Sequence, residues 1–508
     1  MSEAMGDDGD RLDGDGLTRR RLLGTAAAAG AAAALPSVAA DAASGQLIDA
    51  FAAAEDANVV VVVIDSLRSD HVGAYGGRRA HTPTLDALAG EGLTITRARH
   101  ETMPTVPVRK QILTGQRLFP FRGWKPGRGG LPKVPGFEGI GRGETTFLDV
   151  LDRRGYLTGY VTDNPHLLRP AFASFRRRVD AVTLVHGQVP GYRQKRRPVS
   201  NARLRRHLAP ELRGGDRGRV REHLGYNGAS RREQDYLTAR VFRGGMDFLE
   251  RAAFRRQPFA LVVDCFDVHE PWDPPDSYLA RYARIKRGGY RPIMPFGTPA
   301  GRAGDLSKRT LKLAQALYAA EVTFLDAWLG RFLTRLDDLG LSNTWVVVVS
   351  DHGVFLGEHG WIGKQAGAMH GELLDVPFIV RHPAHVGAGR RSGYFASAHD
   401  VAPTVLRGVG APVPKAMDGA DLGPLLRGRP ARRRPVWTSA WSSTLMAGDG
   451  RWLYTAENDS RRIVTEGLYD TRRDPREYRN LARRRPDLVR KFRGELAKAA
   501  GKGGFPRL

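Results

Sequence analysis

The chain has 508 residues, of which 41% are hydrophobic, so it can bury a large core, and its length exceeds what a single core usually supports. Its formal net charge of +25 suggests a polyanionic partner, but the basic residues are scattered, and no basic groove with interleaved aromatic residues is visible. We therefore expect no nucleic-acid partner, and a cationic surface that favours acidic substrates.

A signal peptide is predicted over residues 1–42. Three arginines, Arg19–Arg21, precede an apolar stretch at Leu22–Leu35 and small residues at Val38–Ala42. The paired arginines resemble a twin-arginine signal, which predicts export to the periplasm or the extracellular space. The apolar stretch is too short and too rich in alanine to span a membrane, so we expect no integral membrane span once the signal is removed. An alanine-rich disordered leader is the alternative interpretation.

From Asn58 onward, apolar strands alternate with helices. The predicted elements are, in order, a strand in NVVVVVIDS, a helix in TPTLDALAGEGLTIT, a helix and a strand in FLDVLDRRGYLTGYVTDNPHLL, a strand in FALVVDCFDVHEPW, a long amphipathic helix in YAAEVTFLDAWLGRFLTRLDDLGL and a strand in NTWVVVVSDHG. Uninterrupted runs of β-branched residues are typical of strands buried on both faces. The pattern predicts an α/β domain over residues 58–428 with a mostly parallel sheet. Within it, a basic and irregular surface insertion is predicted at about 175–232.

The last part of the chain has a different pattern. GRPARRRPVW is typical of a linker or exposed turn, and GRWLYTAENDSRRIVTEGLYD has the short alternating strands of an antiparallel hairpin. A final helix is predicted in DLVRKFRGELAKAA. These elements predict a small C-terminal α+β subdomain over residues 430–508.

Polar side chains follow three of the predicted strands. Asp65 ends the first strand, Asp267 and His269 follow the third, and Asp351 and His352 follow the fourth. Because ligands of open α/β sheets bind beyond the carboxyl ends of the strands, we expect these residues to meet in one crevice. Carboxylate oxygens and an imidazole suit a divalent cation. The alternative is that each aspartate is an ordinary cap or turn residue.

The segment ETMPTVPVRKQILTG places a hydroxyl, Thr105, at the start of a predicted helix. Free backbone N–H groups and the helix dipole favour an anionic tetrahedral group at that position, and Arg109 could bind its oxygens. Threonine is also a good helix N-cap, and Arg109 could simply be exposed.

Eight motifs follow one another in the order that is found in the sulfatase family of the alkaline-phosphatase-like superfamily. They are NVVVVVIDSLRSDHVGAYG, TPTLDALAGEGLTITRA, TVPVRKQILTG, VHEPWDPP, VVVVSDHGVFLGEHGWIGK, DVPFIVRHP, HDVAPTV and GLYDTRRDPREYRNLA. The chain resembles this family from Asn58 to about Leu496, apart from the basic insertion. The resemblance implies an alkaline-phosphatase-like fold, a mostly parallel mixed sheet flanked by helices, and an enzyme that hydrolyses anionic esters.

The resemblance also implies roles for single residues. Asp65 matches the first carboxylate of the family's N-terminal metal pair, and Asp351 and His352 match its late metal pair. Thr105 stands at the nucleophile position, the first of Cys/Ser-x-Pro-x-Arg, and Arg109 at the arginine that holds the nucleophile and the charged oxygens of the ester.

Three further residues have implied roles, and two positions depart from the family pattern. His269 resembles the histidine that binds the substrate or protonates the leaving group, Lys364 the late lysine at the anionic group, and His166 a substrate-binding histidine. Ser66 replaces the second carboxylate of the usual Asp-Asp pair, which leaves fewer hard ligands. Asn164 replaces a lysine, which removes a cation from the anion site.

The nucleophile position is the largest departure. Classical sulfatases oxidise Cys or Ser there to formylglycine, whereas threonine is a secondary alcohol that would give a ketone, so formylglycine is not expected. A divalent metal, calcium by resemblance with Mn, Mg or Zn as alternatives, would lower the pKa of the hydroxyl for attack on phosphorus. Nucleotide pyrophosphatases of the same superfamily resemble this arrangement in using threonine, and they hold two zinc ions with additional histidines. In this chain, His359 and His370 could serve as such additional zinc ligands.

The expected function is hydrolysis of phosphate, phosphonate or sulfate esters by Thr105. An inactive anion-binding protein with the same pocket is one alternative. A transferase of phosphoryl headgroups is the other, although such transferases normally have several membrane spans.

Overall fold

The computed structural model describes residues 54, 56–122, 124, 134–188, 197–212, 215–227, 232–286, 289–293, 303–367, 369–430, 435–458 and 463–505. The predicted signal peptide, residues 1–42, lies outside the described residues and stays a prediction. Within these ranges, no helix has the length and apolarity that crossing a membrane requires.

An eight-stranded sheet is at the centre of the fold, with the order β10-β2-β9-β6-β1-β5-β3-β4. Strand β9 is antiparallel to its neighbours β2 and β6, and the other neighbours are parallel. A separate two-stranded ribbon is formed by β7 and β8. The strands are β1 (Asn58–Ile64), β2 (Leu93–Ile95), β3 (Leu157–Thr162), β4 (Ala181–Leu184), β5 (Phe259–Cys265), β6 (Thr344–Ser350), β7 (Phe355–Leu356), β8 (Ile362–Gly363), β9 (Phe378–Arg381) and β10 (Arg390–Ser392).

Strand β1 shows why the apolar runs form this sheet. Its side chains alternate between two hydrophobic clusters, with Val59, Val61 and Val63 on one face and Val60 and Val62 on the other. None of these five residues is more than 1% exposed. A run without polar alternation can only be accommodated where both faces are covered, and the predicted α/β class is confirmed.

Helices cover both faces of the sheet. Helices α1, α7 and α9 contribute to one hydrophobic cluster, and α2, α3 and α11 to the other. The helices are α1 (Pro83–Glu91), α2 (Thr105–Thr114), α3 (Phe147–Asp152), α4 (Ala173–Arg176), α5 (Asn201–His207), α6 (Gly215–Asn227), α7 (Leu237–Arg255), α8 (Asp276–Leu279), α9 (Lys308–Asp338), α10 (Gly371–Leu374), α11 (Val401–Gly408), α12 (Gly423–Leu426) and α13 (Pro486–Ala500).

Two elements differ from the sequence-based expectation. Helix α9 begins ten residues before the predicted start at Tyr318, because Ser307 caps it by accepting a hydrogen bond from the Thr310 N–H.

The insertion expected at about 175–232 is less irregular than predicted. Its strand β4 pairs with β3 at the edge of the main sheet, and helices α5 and α6 lie further along it.

A four-stranded antiparallel sheet follows near the C-terminus, and it contains the predicted hairpin as β13 and β14. Its strands are β11 (Trp437–Trp441), β12 (Thr444–Gly448), β13 (Trp452–Asn458) and β14 (Ile463–Asp470). Helix α13 packs on this sheet, where the Phe492 ring stacks on Tyr454 at 6.2 Å. The sheet also contacts the segment before α2, since Ala440 of β11 forms a β-bridge with Thr102.

Replacing Phe492 with alanine should destabilise this C-terminal unit. The side chain is fully buried, so its loss leaves a cavity and lowers the free energy of unfolding by about 3–5 kcal/mol. Val464 is 47% exposed on the same sheet, and Val464→Ala should change that free energy by less than about 0.5 kcal/mol. Equilibrium denaturant unfolding of both variants measures the difference, and equal losses would contradict the assigned packing.

Candidate active site

The ends of two neighbouring central strands bring three candidate metal ligands together. Asp65 follows β1, and Asp351 and His352 follow β6, which pairs with β1 in parallel. Each offers one ligand atom, and these atoms lie within 4.8 Å of one another in a fully buried group. Within the described part of the chain, this is the only such group of three or more. The strand ends therefore bring these three predicted residues together.

The two carboxylates of this group have opposite pKa shifts. Burial and the negative charge of Asp65 raise the pKa of Asp351 well above its usual value. Burial also tends to raise the pKa of Asp65. The positive charges of Lys364 and Arg109 outweigh this effect and hold the pKa of Asp65 well below its usual range. A cation between the two groups would allow both to be ionised, because it would offset their mutual repulsion.

His352 presents one defined ring nitrogen to this group. Its Nδ1 lies 2.9 Å from the Gly353 carbonyl oxygen and therefore carries the proton. Nε2 is left as the electron-pair donor, 3.4 Å from Asp351 Oδ2 and 3.7 Å from Asp65 Oδ1. This orientation by a backbone carbonyl is typical of metal-binding histidines.

Thr105 is the first residue of α2, and its side chain does not cap the helix. The N-cap is Pro104, and no side chain caps this end. The Thr105 hydroxyl instead accepts a hydrogen bond from Lys364 Nζ at 3.3 Å and lies 3.5 Å from His352 Nε2. The N-cap interpretation of Thr105 is therefore wrong.

Lys364 reaches this position from the ribbon β7–β8, directly after Gly363. Its Nζ lies 3.1 Å from His352 Nε2 and 4.0 Å from Asp65 Oδ1, in addition to the contact with Thr105. The lysine thus places one positive charge next to both the Thr105 hydroxyl and the candidate metal-ligand group.

Arg109 is buried, with 1% exposure, which excludes the alternative of an exposed side chain. Its Nε and Nη2 donate to Asp264 Oδ1 at 3.1 and 2.8 Å, and Nη1 lies 3.1 Å from Asp65 Oδ2 and donates to Asp351. These carboxylates raise the pKa of Arg109 although burial opposes its charge. The contact with Thr105 is a 3.3 Å hydrogen bond to its main-chain oxygen.

Asp264, inside strand β5, is the residue that the sequence interpretation missed. Besides Arg109, its carboxylate accepts hydrogen bonds from Tyr160 and Thr162, at 3.0 and 3.1 Å. The available signal was a single carboxylate in the apolar run FALVVDC, since a charge in a buried strand requires a partner.

Of the two predicted substrate histidines, His269 is buried and His166 is half-buried, and the pKa of each is lowered. Burial and the positive charge of Lys364 lower the pKa of His269 to about 3, and its Nδ1 lies 2.7 Å from the Glu270 carbonyl oxygen. Burial, with Arg169 and then Lys364, lowers the pKa of His166 to about 3 as well. His166 Nδ1 has no hydrogen-bond partner among the described residues.

Ser66 and Asn164, two of the three departures from the family pattern, have local structural roles. The Ser66 hydroxyl donates to Asp65 Oδ1 at 2.7 Å, and its N–H donates to Asp351 Oδ1 at 2.9 Å. Asn164 Oδ1 accepts the His166 N–H at 3.0 Å, while its Nδ2 is buried with no partner in the described ranges. Ser66 therefore orients the two carboxylates without adding a third.

Asp267 was expected in the same crevice but belongs to a neighbouring cluster. It accepts hydrogen bonds from Thr238 and from Gln188, whose Nε2 lies 2.6 Å away. Gln188 also donates to Asp163 at 2.9 Å. Gln188 belongs to the region predicted as the basic insertion. That region therefore contacts Asp163, next to Asn164, and Asp267, two residues before His269.

The two histidines considered for a second zinc ion face elsewhere. His359 and His370 stack on each other with their ring centroids 3.7 Å apart. His370 Nδ1 pairs with Glu477 at 2.9 Å, and His359 Nε2 lies 3.5 Å from Glu372. Neither is a member of the buried ligand group, so the structure gives that two-zinc arrangement no support.

A family model described as Sulfatase matches residues 57–411. The chain belongs to the sulfatase family. It is 26% identical over 472 residues to the arylsulfatase of Clostridium perfringens, covering 86% of this chain and 93% of that protein. It is 25% identical over 504 residues to a multifunctional alkaline phosphatase superfamily protein of Trinickia caryophylli, covering 84% of this chain and 91% of that protein. The crystal structure of the phosphonate monoester hydrolase of Agrobacterium radiobacter has a similar fold, with a TM-score of 0.64 and 19% identity over 87% of this chain and 95% of that chain.

As a member of the sulfatase family, the protein is an ester hydrolase of the sulfuric or phosphoric class. The predicted family and the alkaline-phosphatase-like fold are confirmed. The buried Asp65, Asp351 and His352 group is one that could hold the metal ion typical of this family.

Replacing Asp264 with asparagine should destabilise this sulfatase-family protein strongly. The amide retains the shape of the carboxylate but removes the negative charge that the buried Arg109 contacts through both Nε and Nη2. We expect a loss of about 3 kcal/mol in the free energy of unfolding. Glu250→Gln, at a half-exposed pair with Arg335, is the matched control and should cost less than about 0.5 kcal/mol. Denaturant unfolding of both variants at pH 7 provides the measurement, and a stable Asp264→Asn protein would contradict the central role of this ion pair.

Proposed function

We propose that the protein hydrolyses phosphate, phosphonate or sulfate esters with Thr105 as its nucleophile and a divalent metal ion as its cofactor. One observation carries the proposal. The Thr105 hydroxyl is turned away from the helix cap and toward Lys364 Nζ, at 3.3 Å, beside the buried group of Asp65, Asp351 and His352.

The residues of that group fit a divalent cation. Two carboxylates and one imidazole with a free Nε2 form a donor set of the required type. Asp65 Oδ2 is buried and accepts no hydrogen bond from the described residues, although Arg109 Nη1 lies nearby. A cation held there would lower the pKa of the Thr105 hydroxyl and offset charge on the transferring group. Calcium is the ion that the family resemblance favours, with Mn, Mg and Zn as alternatives.

The side chains of the chain itself suggest the rest of the reaction. Thr105 Oγ1 would lose its proton to solvent and attack phosphorus or sulfur, while the ammonium of Lys364 stabilises negative charge on the oxygens. The bond to the alcohol oxygen breaks, and water then cleaves the ester of Thr105 to restore the hydroxyl. Arg109 keeps the carboxylates and the backbone of Thr105 in place.

His269 is the proposed proton donor to the leaving alcohol. Its low pKa results first from burial and then from the charge of Lys364. An anionic ester bound at Lys364 would remove the second of these effects and raise the pKa of His269, so that it can carry a proton in the complex. His166, with its unpartnered Nδ1, is proposed to bind the substrate.

Two other functions remain as alternatives. An inactive anion-binding protein would have no need for a nucleophile beside Lys364 and a metal-ligand group, which favours an active enzyme. A headgroup transferase would use the same residues but normally has several membrane spans. The named relatives include both an arylsulfatase and a phosphonate monoester hydrolase, so we propose the broad class of anionic esters.

We further propose that the protein is exported. Arg19–Arg21 and the apolar stretch at Leu22–Leu35 support a twin-arginine signal, which delivers folded proteins across the membrane. A metal ion would then be acquired before export.

Turnover of chromogenic sulfate, phosphate and phosphonate esters tests the proposed nucleophile. With Ca, Mg, Mn or Zn added, the wild-type protein should hydrolyse at least one of them, and a chelator should abolish the reaction. Thr105→Ala should lower kcat by roughly a thousandfold or more, because no hydroxyl remains to attack. Thr105→Ser keeps a hydroxyl and serves as the matched control.

The expected control result is turnover by Thr105→Ser within about tenfold of the wild-type rate. No hydrolysis of any ester by the wild-type protein would contradict the proposed activity. Unchanged hydrolysis by Thr105→Ala would contradict the nucleophile alone.

Mass spectrometry tests the expectation that Thr105 is not oxidised. The tryptic fragment from His100 to Arg109 should have the mass of the unmodified sequence, without the loss of two hydrogens that a ketone would show. Thr105→Cys restores the Cys-x-Pro-x-Arg pattern and is the positive control in a host that makes formylglycine. Oxidised wild-type fragment would rule out the hydroxyl mechanism.

A further inference from the structure

Glu101 is a buried carboxylate that the proposed reaction does not use. It is 3% exposed and lies four residues before Thr105. Its Oε2 accepts hydrogen bonds from Gln111 Nε2 at 2.5 Å and from the Leu118 N–H at 3.1 Å, and its Oε1 accepts one from the Phe119 N–H at 3.0 Å. A single side chain thus connects the segment that enters α2 with the end of that helix and the segment that leaves it.

The backbone at Glu101 is attached as firmly as its side chain. The N–H donates to Ser397 Oγ at 2.9 Å, and the carbonyl oxygen accepts the Ala440 N–H at 2.9 Å. The Met103 N–H donates to the Ala440 carbonyl oxygen, also at 2.9 Å. The C-terminal sheet therefore holds the segment that leads to Thr105, and Glu101 connects this attachment with the far end of α2.

We propose that Glu101 is a positioning residue, whose ionised carboxylate keeps α2 in the orientation that presents the Thr105 hydroxyl to Lys364. This inference rests on the proposed function of Thr105. Every residue of α2 is buried, so the helix has no exposed face that could absorb a displacement without disturbing its neighbours. Loosening the buried attachment at Glu101 would therefore shift the hydroxyl at the N-terminus of the helix.

The charge of Glu101 changes near neutral pH. Burial raises its pKa to about 7, opposed by Arg117, whose Nε lies 3.7 Å from Oε1, and by the N–H groups of Leu118 and Phe119. The carboxylate of Asp418, which accepts a hydrogen bond from the Arg117 N–H, also raises the pKa of Glu101. Glu101 is therefore protonated below about pH 7 and ionised above it, and protonation converts one of its acceptor oxygens into a donor.

Glu101→Gln tests the proposal, because glutamine has the shape of the protonated acid and cannot ionise. The ratio of wild-type to Glu101→Gln kcat should be close to 1 well below pH 7 and rise to about tenfold above pH 8, with KM unchanged. Taking the ratio cancels every group that titrates in both proteins. A ratio independent of pH, or a change confined to KM, would overturn the proposal.

Hydrogen exchange provides a readout that does not depend on activity. At pH 8, the amides of residues 105–114 and 118–119 should exchange faster in Glu101→Gln than in the wild type, while residues 463–470 of the C-terminal sheet should be unchanged. Glu144→Gln is the matched control, since Glu144 pairs with Lys110 of the same helix at 2.8 Å from a partly exposed position. It should alter neither exchange nor kcat.

Equal exchange in wild type and Glu101→Gln would overturn the positioning role whether or not the protein turns over an ester. Absence of wild-type turnover with faster exchange in Glu101→Gln would leave the attachment of α2 established. In that case only the proposed function would fail.

Discussion

The candidate active site depends on one buried guanidinium. Arg109 lies among the carboxylates of Asp65, Asp264 and Asp351, which come from three adjacent strands of the central sheet. Ionising these three carboxylates together in so small and dry a space would cause strong mutual repulsion, which the charge of Arg109 partly offsets. The same side chain donates a hydrogen bond to the main-chain oxygen of Thr105, so it also connects the first turn of α2 to these strand ends.

The sequence predicted those parts of the site that are marked by a hydrophobic pattern or by a polar residue at the end of a strand. Uninterrupted apolar runs identified the central strands, and polar residues directly after them identified Asp65, Asp351 and His352. Asp264 was missed because it lies inside an apolar run, where nothing in the local pattern separates a buried charge from a neighbouring core residue. Its function appears only when α2, distant in sequence, places Arg109 against it.

The roles of Thr105 and Lys364 depend on tertiary contacts that the local sequence pattern does not show. A threonine before a helix usually caps it, but here Pro104 occupies the cap position and the hydroxyl is used elsewhere. Lys364 reaches that hydroxyl from a ribbon of two-residue strands, which is too short to predict from periodicity. The family resemblance, rather than the residue pattern, implied a separate role for each of these two residues, and the hydrogen bond between them is visible only in the structure.

Two of the departures from the family pattern compensate each other in charge. Compared with the family pattern, Ser66 removes one negative charge from the candidate metal-ligand group, and Asn164 removes one positive charge from the anion site. The net charge of the site is therefore unchanged, although it contains one carboxylate and one cation fewer. A divalent ion would then be held by fewer anionic ligands and remain more electron-withdrawing toward the Thr105 hydroxyl. An unmodified secondary alcohol is a weaker nucleophile than the formylglycine hydrate, and it requires this activation more. In the proposed mechanism, the serine at position 66 and the threonine at position 105 are therefore consistent with each other.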